Sequence, residues 1–134
     1  MEEHDVVDTD FDPAFLEFAV KIFDMARTGA TIELATYVDQ GVPANLTNDK
    51  GDSLLMLAAY HGHADLVEAL LRRGADPNRA NDRGQTPLAG AVFKAEDDVV
   101  RVLLAGGADP LVGSPSALDT ARMFGREELL APQS

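Results

Sequence analysis

The sequence predicts an all-α solenoid of about four helix-turn-helix repeats with short β-turn fingers between them. Three observations lead there. The stretch 48–80 overlays the stretch 81–113 without a gap, and the two agree at 13 of 33 positions, where an unrelated pair of ordinary composition would agree at about two. The agreements fall on residues that shape a chain: Gly51 with Gly84, Leu55 with Leu88, Leu70-Leu71 with Leu103-Leu104, and Gly74-Ala75-Asp76-Pro77 with Gly107-Ala108-Asp109-Pro110. Inside each copy the apolar residues recur at helical spacing. A fixed period of this length means one supersecondary unit copied and stacked. Such a unit buries its apolar face only against its neighbours.

The elements follow in order. Residues 1–12 hold Glu2, Glu3, Asp5, Asp8, Asp10 and Asp12 and no Lys or Arg, the composition of a solvated, disordered tail. Asp12-Pro13 reads as a helix start, a capping carboxylate before a first-turn proline. Phe15, Leu16, Phe18, Ala19, Ile22, Phe23 and Ala26 then form a wide apolar stripe, ended by Gly29. Thr31 opens a second helix with Leu34, Tyr37 and Val38 one period before Val67, Leu70 and Leu71, so 13–47 is a divergent first repeat suited to capping the stack. In the second repeat, 48–80, Ser53 caps a short helix to about Tyr60, and Gly62 supplies a left-handed turn. The next helix carries Leu66, Val67, Leu70 and Leu71 as one stripe, with Glu68, Arg72 and Arg73 facing away. Gly74 closes it at positive φ. The third repeat, 81–113, follows suit with Thr86-Pro87, then Val99, Val100, Leu103 and Leu104; Gly90 falls inside its first helix, where alanine is expected to stabilise provided the methyl group fits. The fourth, 114–134, has lost most of its finger: Ser116-Ala117-Leu118 replaces Thr86-Pro87-Leu88, Gly125-Arg126 replaces Gly62-His63, and Leu129-Leu130 closes a brief last helix. One domain, 13–134, is the expected count.

This pattern resembles the ankyrin repeat, whose unit runs G-x-T-P-L-H-x-A-A, then G-H, then V-x-x-L-L, then G-A-D. Gly84-Gln85-Thr86-Pro87-Leu88 carries the opening, Gly62-His63 the middle, and Val67 with Leu70-Leu71 the second helix. Departures are Ser53-Leu54 for Thr-Pro, Met56 and Ala89 for the His, and Ala95-Glu96 for the second Gly-His. The resemblance implies that His63 is structural, its ring fixing the turn by hydrogen bonding.

Composition excludes several classes. No cysteine is present, so thiolate metal sites, disulfides and thiol nucleophiles are out. A net charge of −12 argues against a phosphate-backbone ligand, which needs a basic stripe. No signal peptide and no run of about 18 apolar residues is seen, so cytoplasm is the expected location and a membrane partner is not expected. Asp97-Asp98 is the nearest thing to a catalytic carboxylate pair, but it opens a helix, where negative charge is favoured anyway. His61, His63 and Asp65 would make an incomplete metal set. Phosphate-loop and nucleophile-elbow motifs are absent. No enzyme, metal or cofactor is expected.

What remains is surface. The resemblance implies that hairpin tips and the outer ends of the first helices face a partner. Carried over, those positions are Asp49, Lys50, Asp52, Tyr60 and His61 in the second repeat, Asp82, Arg83, Gln85, Phe93 and Lys94 in the third, and Met123 and Phe124 in the fourth. Tyr60, Phe93 and Phe124 read as an aromatic row, one ring per repeat, of the kind that anchors interfaces. The competing reading folds those rings back over the next repeat as core. The expected function is a non-enzymatic protein-binding module, a monomer serving one partner protein as an accessory or regulatory adaptor. Two other classes are distinguishable: an acidic nucleic-acid mimic whose tail blocks a basic surface, lost on removing residues 1–12, and a metal-dependent enzyme at His61 and His63, tested by metal analysis.

Overall fold

A computed structural model describes residues 13–131; the acidic segment 1–12, with the Asp12 cap, lies outside the described residues. The chain forms α1 (Pro13–Thr28), α2 (Thr31–Asp39), α3 (Leu54–Tyr60), α4 (Ala64–Arg72), α5 (Pro87–Phe93), α6 (Asp97–Ala105), α7 (Ala117–Met123) and a closing 3-10 turn, Glu127–Leu130. Among the described residues there is no sheet; isolated bridges pair Thr47 with Ser53 and Gly113 with Ser116. The first helices α1, α3, α5 and α7 pack side by side in one layer. In the other lie α2, α4, α6 and the 3-10 turn. No helix among the described residues is long and apolar enough to cross a membrane.

Local chemistry starts each short helix. The hydroxyls of Ser53, Thr86 and Ser116 accept from the backbone N–H of Met56, Ala89 and Asp119 at 3.0, 3.2 and 3.1 Å. Each satisfies one of the donors that a helix start leaves unpaired, typically worth about 1 kcal/mol. Seven-residue helices are too short to persist alone, so packing must supply the rest. It does so through Leu54, Leu55 and Leu88 on the first helices and Leu66, Val67, Leu70, Val99, Val100 and Leu103 on the second, all at most 1% exposed.

Between the helices of each unit one residue sits at positive φ: Gly29 (82°), Gly62 (82°), Ala95 (58°) and Gly125 (66°). Ala95 is the single non-glycine so placed among the described residues, held there by backbone bonds from its own N–H to Val92 O and from Glu96 N–H to Ala91 O. Between units, a side-chain latch repeats at the same 33-residue step. Asn45 donates to Gly74 O and accepts from Asp76 N, at 3.2 and 2.7 Å. Asn78 does the same to Gly107 O and Asp109 N, at 3.3 and 2.7 Å. The next position in that series is Leu111, 69% exposed.

Four details differ from the sequence expectations. Leu71 and Leu104 lie at the margin of the core, half-buried, because the stripe of a short helix covers only one side of the next layer. Arg73 does not point into solvent: it reaches back to Asp39 of the preceding unit, Nε to Oδ1 at 2.8 Å and Nη2 to Oδ2 at 3.2 Å. Of the three α1 phenylalanines, Phe23 is fully buried, Phe18 meets Tyr37 edge-on at 5.3 Å, and Phe15 is 39% exposed. A methyl group on Gly90 would stand 3.1 Å from the Met56 thioether methyl, so the expected gain from alanine there is offset by crowding against the neighbouring helix.

Candidate protein-binding surface

The fingers are built by two asparagines a period apart. Asn48 Oδ1 accepts from the N–H groups of Lys50 and Asp52, both at 3.0 Å. Asn81 Oδ1 accepts from those of Arg83 and Gln85, at 2.9 and 3.0 Å. Such side-chain mimicry of a backbone turn is what asparagine does best. The Asn81 amide also donates to Asp52 Oδ1 at 2.8 Å, and Asp82 N donates to Lys50 O at 3.0 Å. The two fingers are thereby locked into one ledge.

Against this ledge stand the C-terminal ends of α1 and α3, leaving a groove of about 290 Å³. It brings together Lys50, Asp52, Tyr60, His61, Arg83 and Gln85 from the sequence-predicted set, and adds Arg27, Asn48, Met56, Leu57 and Asn81. Asp49 and Asp82 lie on the fingers outside its lining, Asp82 with its carboxylate against Gly51 of the preceding finger. Phe93, Lys94, Met123 and Phe124 continue the same end of the first-helix layer into the third and fourth units. Arg27 was missed because the first repeat is divergent; yet it stands 33 residues before Tyr60, and that step was the available signal. Asn48 and Asn81, likewise a period apart, were readable in the same way.

The aromatic row needs correction. Counting from the capping residues Ser53, Thr86 and Ser116, the equivalents are Tyr60, Phe93 and Met123, with Arg27 in the first unit; Phe124 stands one place further on, at the position of His61 and Lys94. The rings that meet are Phe93 and Phe124, 5.8 Å apart and inclined at 63°. Tyr60 is instead covered by Lys94, whose ammonium lies 4.9 Å from the ring centroid, and touched edge-on by His61 at 5.5 Å. Exposure is 56% for Phe93, 51% for Phe124 and 69% for Met123, whereas Tyr60 is half-buried.

The histidines divide their roles. His63 Nε2 lies 2.7 Å from Arg27 O; a carbonyl can only accept, so this nitrogen carries the proton. Its ring fills the space beside Gly29, where an added Cβ would come within 2.5 Å of it. In the third unit Glu96 takes this place beside Gly62, and a carboxylate cannot repeat the donation. In the fourth, Arg126 turns to Asp97 and Glu128, at 3.2 and 3.3 Å. His61 stacks on His63 at 6.5 Å. Its pKa is lowered first by partial burial and then by the positive charges of His63, Lys94 and Arg27. Among the described residues no three His, Cys, Asp or Glu side chains converge closely enough to hold a metal ion.

Comparison with known proteins agrees with this geometry. The family model for ankyrin repeats, in three copies, matches residues 22–113, more than half of the chain. An ankyrin repeat protein of Pseudomonas aeruginosa is 59% identical over 51 residues, covering 38% of this chain and 30% of that protein. Ankyrin repeat family A protein 2, from human and from cattle, is 38% identical over 58 residues, covering 43% of this chain and 18% of those proteins. The chain thus spans less than a third of the length of these relatives. The fourth unit lies beyond the matched segment but keeps the capped first helix and the positive-φ turn of the others. With its period, paired helices, interlocked fingers and sequence match all in agreement, the chain belongs to the ankyrin repeat family.

Proposed function

We propose that this chain is a non-enzymatic adaptor that docks one partner protein on the face formed by its fingers and the ends of its first helices. Ankyrin repeats generally serve protein–protein interaction. The observation that carries the assignment to this face is the Phe93–Phe124 pair, more than half exposed in a chain that buries Leu66, Val67, Leu70, Val99, Val100 and Leu103 of its second helices. Large exposed aromatics beside a polar groove are the usual anchors of an interface. The finger residues Asp49, Lys50, Asp52, Asp82, Arg83 and Gln85 supply a polar rim, Tyr60, His61 and Lys94 continue the contact surface from the groove toward the aromatic pair, and Met123 extends it in the fourth unit. In the cytoplasm such a module acts as an accessory or regulatory factor for its partner.

The test begins with capture of the partner on immobilised full chain from native extract. Titration calorimetry then compares wild type with Tyr60→Ala/Phe93→Ala. Truncated aromatic anchors cost about 2 kcal/mol or more each, so affinity should fall about a thousandfold with the melting temperature nearly unchanged. Glu68→Ala/Arg101→Ala, on the outer side of the second helices, should alter neither. A drop in melting temperature with affinity retained would return both rings to the core and defeat the proposal.

A further inference from the structure

The cations of this acidic chain are sorted by position. Of its 11 Lys and Arg residues, six are held in ion pairs by nearby carboxylates: Arg27, Arg72, Arg73, Arg101, Arg122 and Arg126. Among the described residues the other five, Lys21, Lys50, Arg79, Arg83 and Lys94, have no ion pair. Three of those five stand on the finger face: Lys50 and Arg83 line the groove, and Lys94 lies over Tyr60. All three are exposed. The one acid lining the groove, Asp52, is already engaged by the Asn81 amide. Asp49 and Asp82 ride the fingers outside it. In a protein of net charge −12, these three cations on one face have no carboxylate within ion-pair distance and stay open to an incoming one.

From this arrangement we infer that the finger face takes an extended, acidic segment of a partner protein, with carboxylates seated on Lys50, Arg83 and Lys94 and the neighbouring apolar side chains on Tyr60 and Phe93. The inference deepens the adaptor reading and rests on it. His61 lies beside the same face, and after burial the nearby cations His63, Lys94 and Arg27 disfavour its charged form. Net negative charge elsewhere on the chain works against the encounter, so specificity must come from contact with these three side chains. Charge placed this way selects the partner and sets the salt dependence more than it sets raw affinity.

The experiment uses the full chain and a fluorescein-labelled hexaglutamate peptide read by fluorescence anisotropy, with hexalysine as the sign control. Saturable hexaglutamate binding is expected. It should weaken at least about tenfold between low and physiological salt, and should be lost in Lys50→Glu/Arg83→Glu/Lys94→Glu. Lys21→Glu/Arg79→Glu removes the two other unpaired cations and should bind as wild type does. Exposed substitutions of this kind leave the fold intact, checked by circular dichroism. Binding that survives the triple change, or that is equally lost in the double, overturns the inference. So does binding that appears only after the six carboxylates of residues 1–12 are converted to amides, since the chain's own acidic segment would then be the occupant. If a captured partner responds to Tyr60→Ala/Phe93→Ala but not to the triple charge change, the adaptor reading stands and this inference alone fails.

Discussion

Replacing Ala95 with glycine should stabilise the protein. Ala95 occupies φ 58° at the position where the other units have Gly29, Gly62 and Gly125. An L side chain in that region carries a penalty of about 1–2 kcal/mol. Glycine removes it, but gives the unfolded chain extra freedom that costs about 0.5–1 kcal/mol. Ala95 is exposed, so its methyl group contributes little buried area to lose. The difference is a net gain of about 0.7 kcal/mol, which for a urea dependence of about 1.5 kcal/mol per molar raises the midpoint by about 0.5 M. The control is Ala91→Gly, in the middle of α5 and fully buried. It should lower the midpoint, through about 1 kcal/mol of helix propensity together with a lost buried methyl. Equilibrium urea unfolding followed at 222 nm measures both. If the two substitutions move the midpoint in the same direction, the backbone at residue 95 is not strained and the argument is wrong.

Three further outcomes are expected. Leu70→Ala removes a fully buried side chain and should cost about 2–5 kcal/mol, whereas Glu68→Ala, whose exposed ion pair with Arg72 contributes little, should change stability by less than about 0.5 kcal/mol; denaturant midpoints compare them. Gly74→Ala and Gly107→Ala place a side chain at φ 95° and 98°, where an added Cβ would meet nothing within 4 Å; each should therefore lose about 1–2 kcal/mol from backbone strain alone, read in the same assay. His61 has a folded-state pKa below its unfolded value, so between the two the unfolded chain binds more protons. Its contribution to stability is present above about pH 6.5 and declines as pH falls through that value toward the folded pKa. Melting temperatures across pH 5–8 should show a shallower decline in His61→Gln than in wild type.

The repeat was legible because stacking forces the same residue types onto the same step. Leu55 and Leu88, or Leu70 and Leu103, meet identical surroundings one unit apart, and the step survives in the sequence. The caps at Ser53, Thr86 and Ser116 were readable for the same reason. Legibility failed where contacts run between units. Arg73 looks like an outward residue on its own helix, and only the position of α2 explains its turn toward Asp39. Gly90 reads as a helix defect until Met56 is seen against it. The aromatic row slipped by one residue at Phe124 because the fourth unit lacks most of its finger, leaving no landmark but the cap at Ser116. Of the groove, the residues at finger tips were reachable from the pattern. Arg27 was hidden by the divergence of the first unit.

The asparagine latches give the stack a direction. Asn45 and Asn78 each fasten a unit to the next by two hydrogen bonds, but Leu111, next in the series, can make neither. The last unit hangs instead on Ser114 N to Gly84 O, on Leu118 N to Pro110 O, and on the half-exposed Arg126–Asp97 pair. In a linear array the free energy of opening depends on which neighbour is let go first. The seam without a latch lies between the third unit and the fourth, so opening is expected to begin there. Amide hydrogens of α7 would then exchange earliest, those of α5 and α6 next, and those of α3 and α4 last. Phe124 sits beyond that seam and Phe93 before it. Fraying would part the aromatic pair while the groove at Lys50 and Arg83 stayed whole, so a partner that bridges both sides of the seam would gain affinity and close the zipper in the same step.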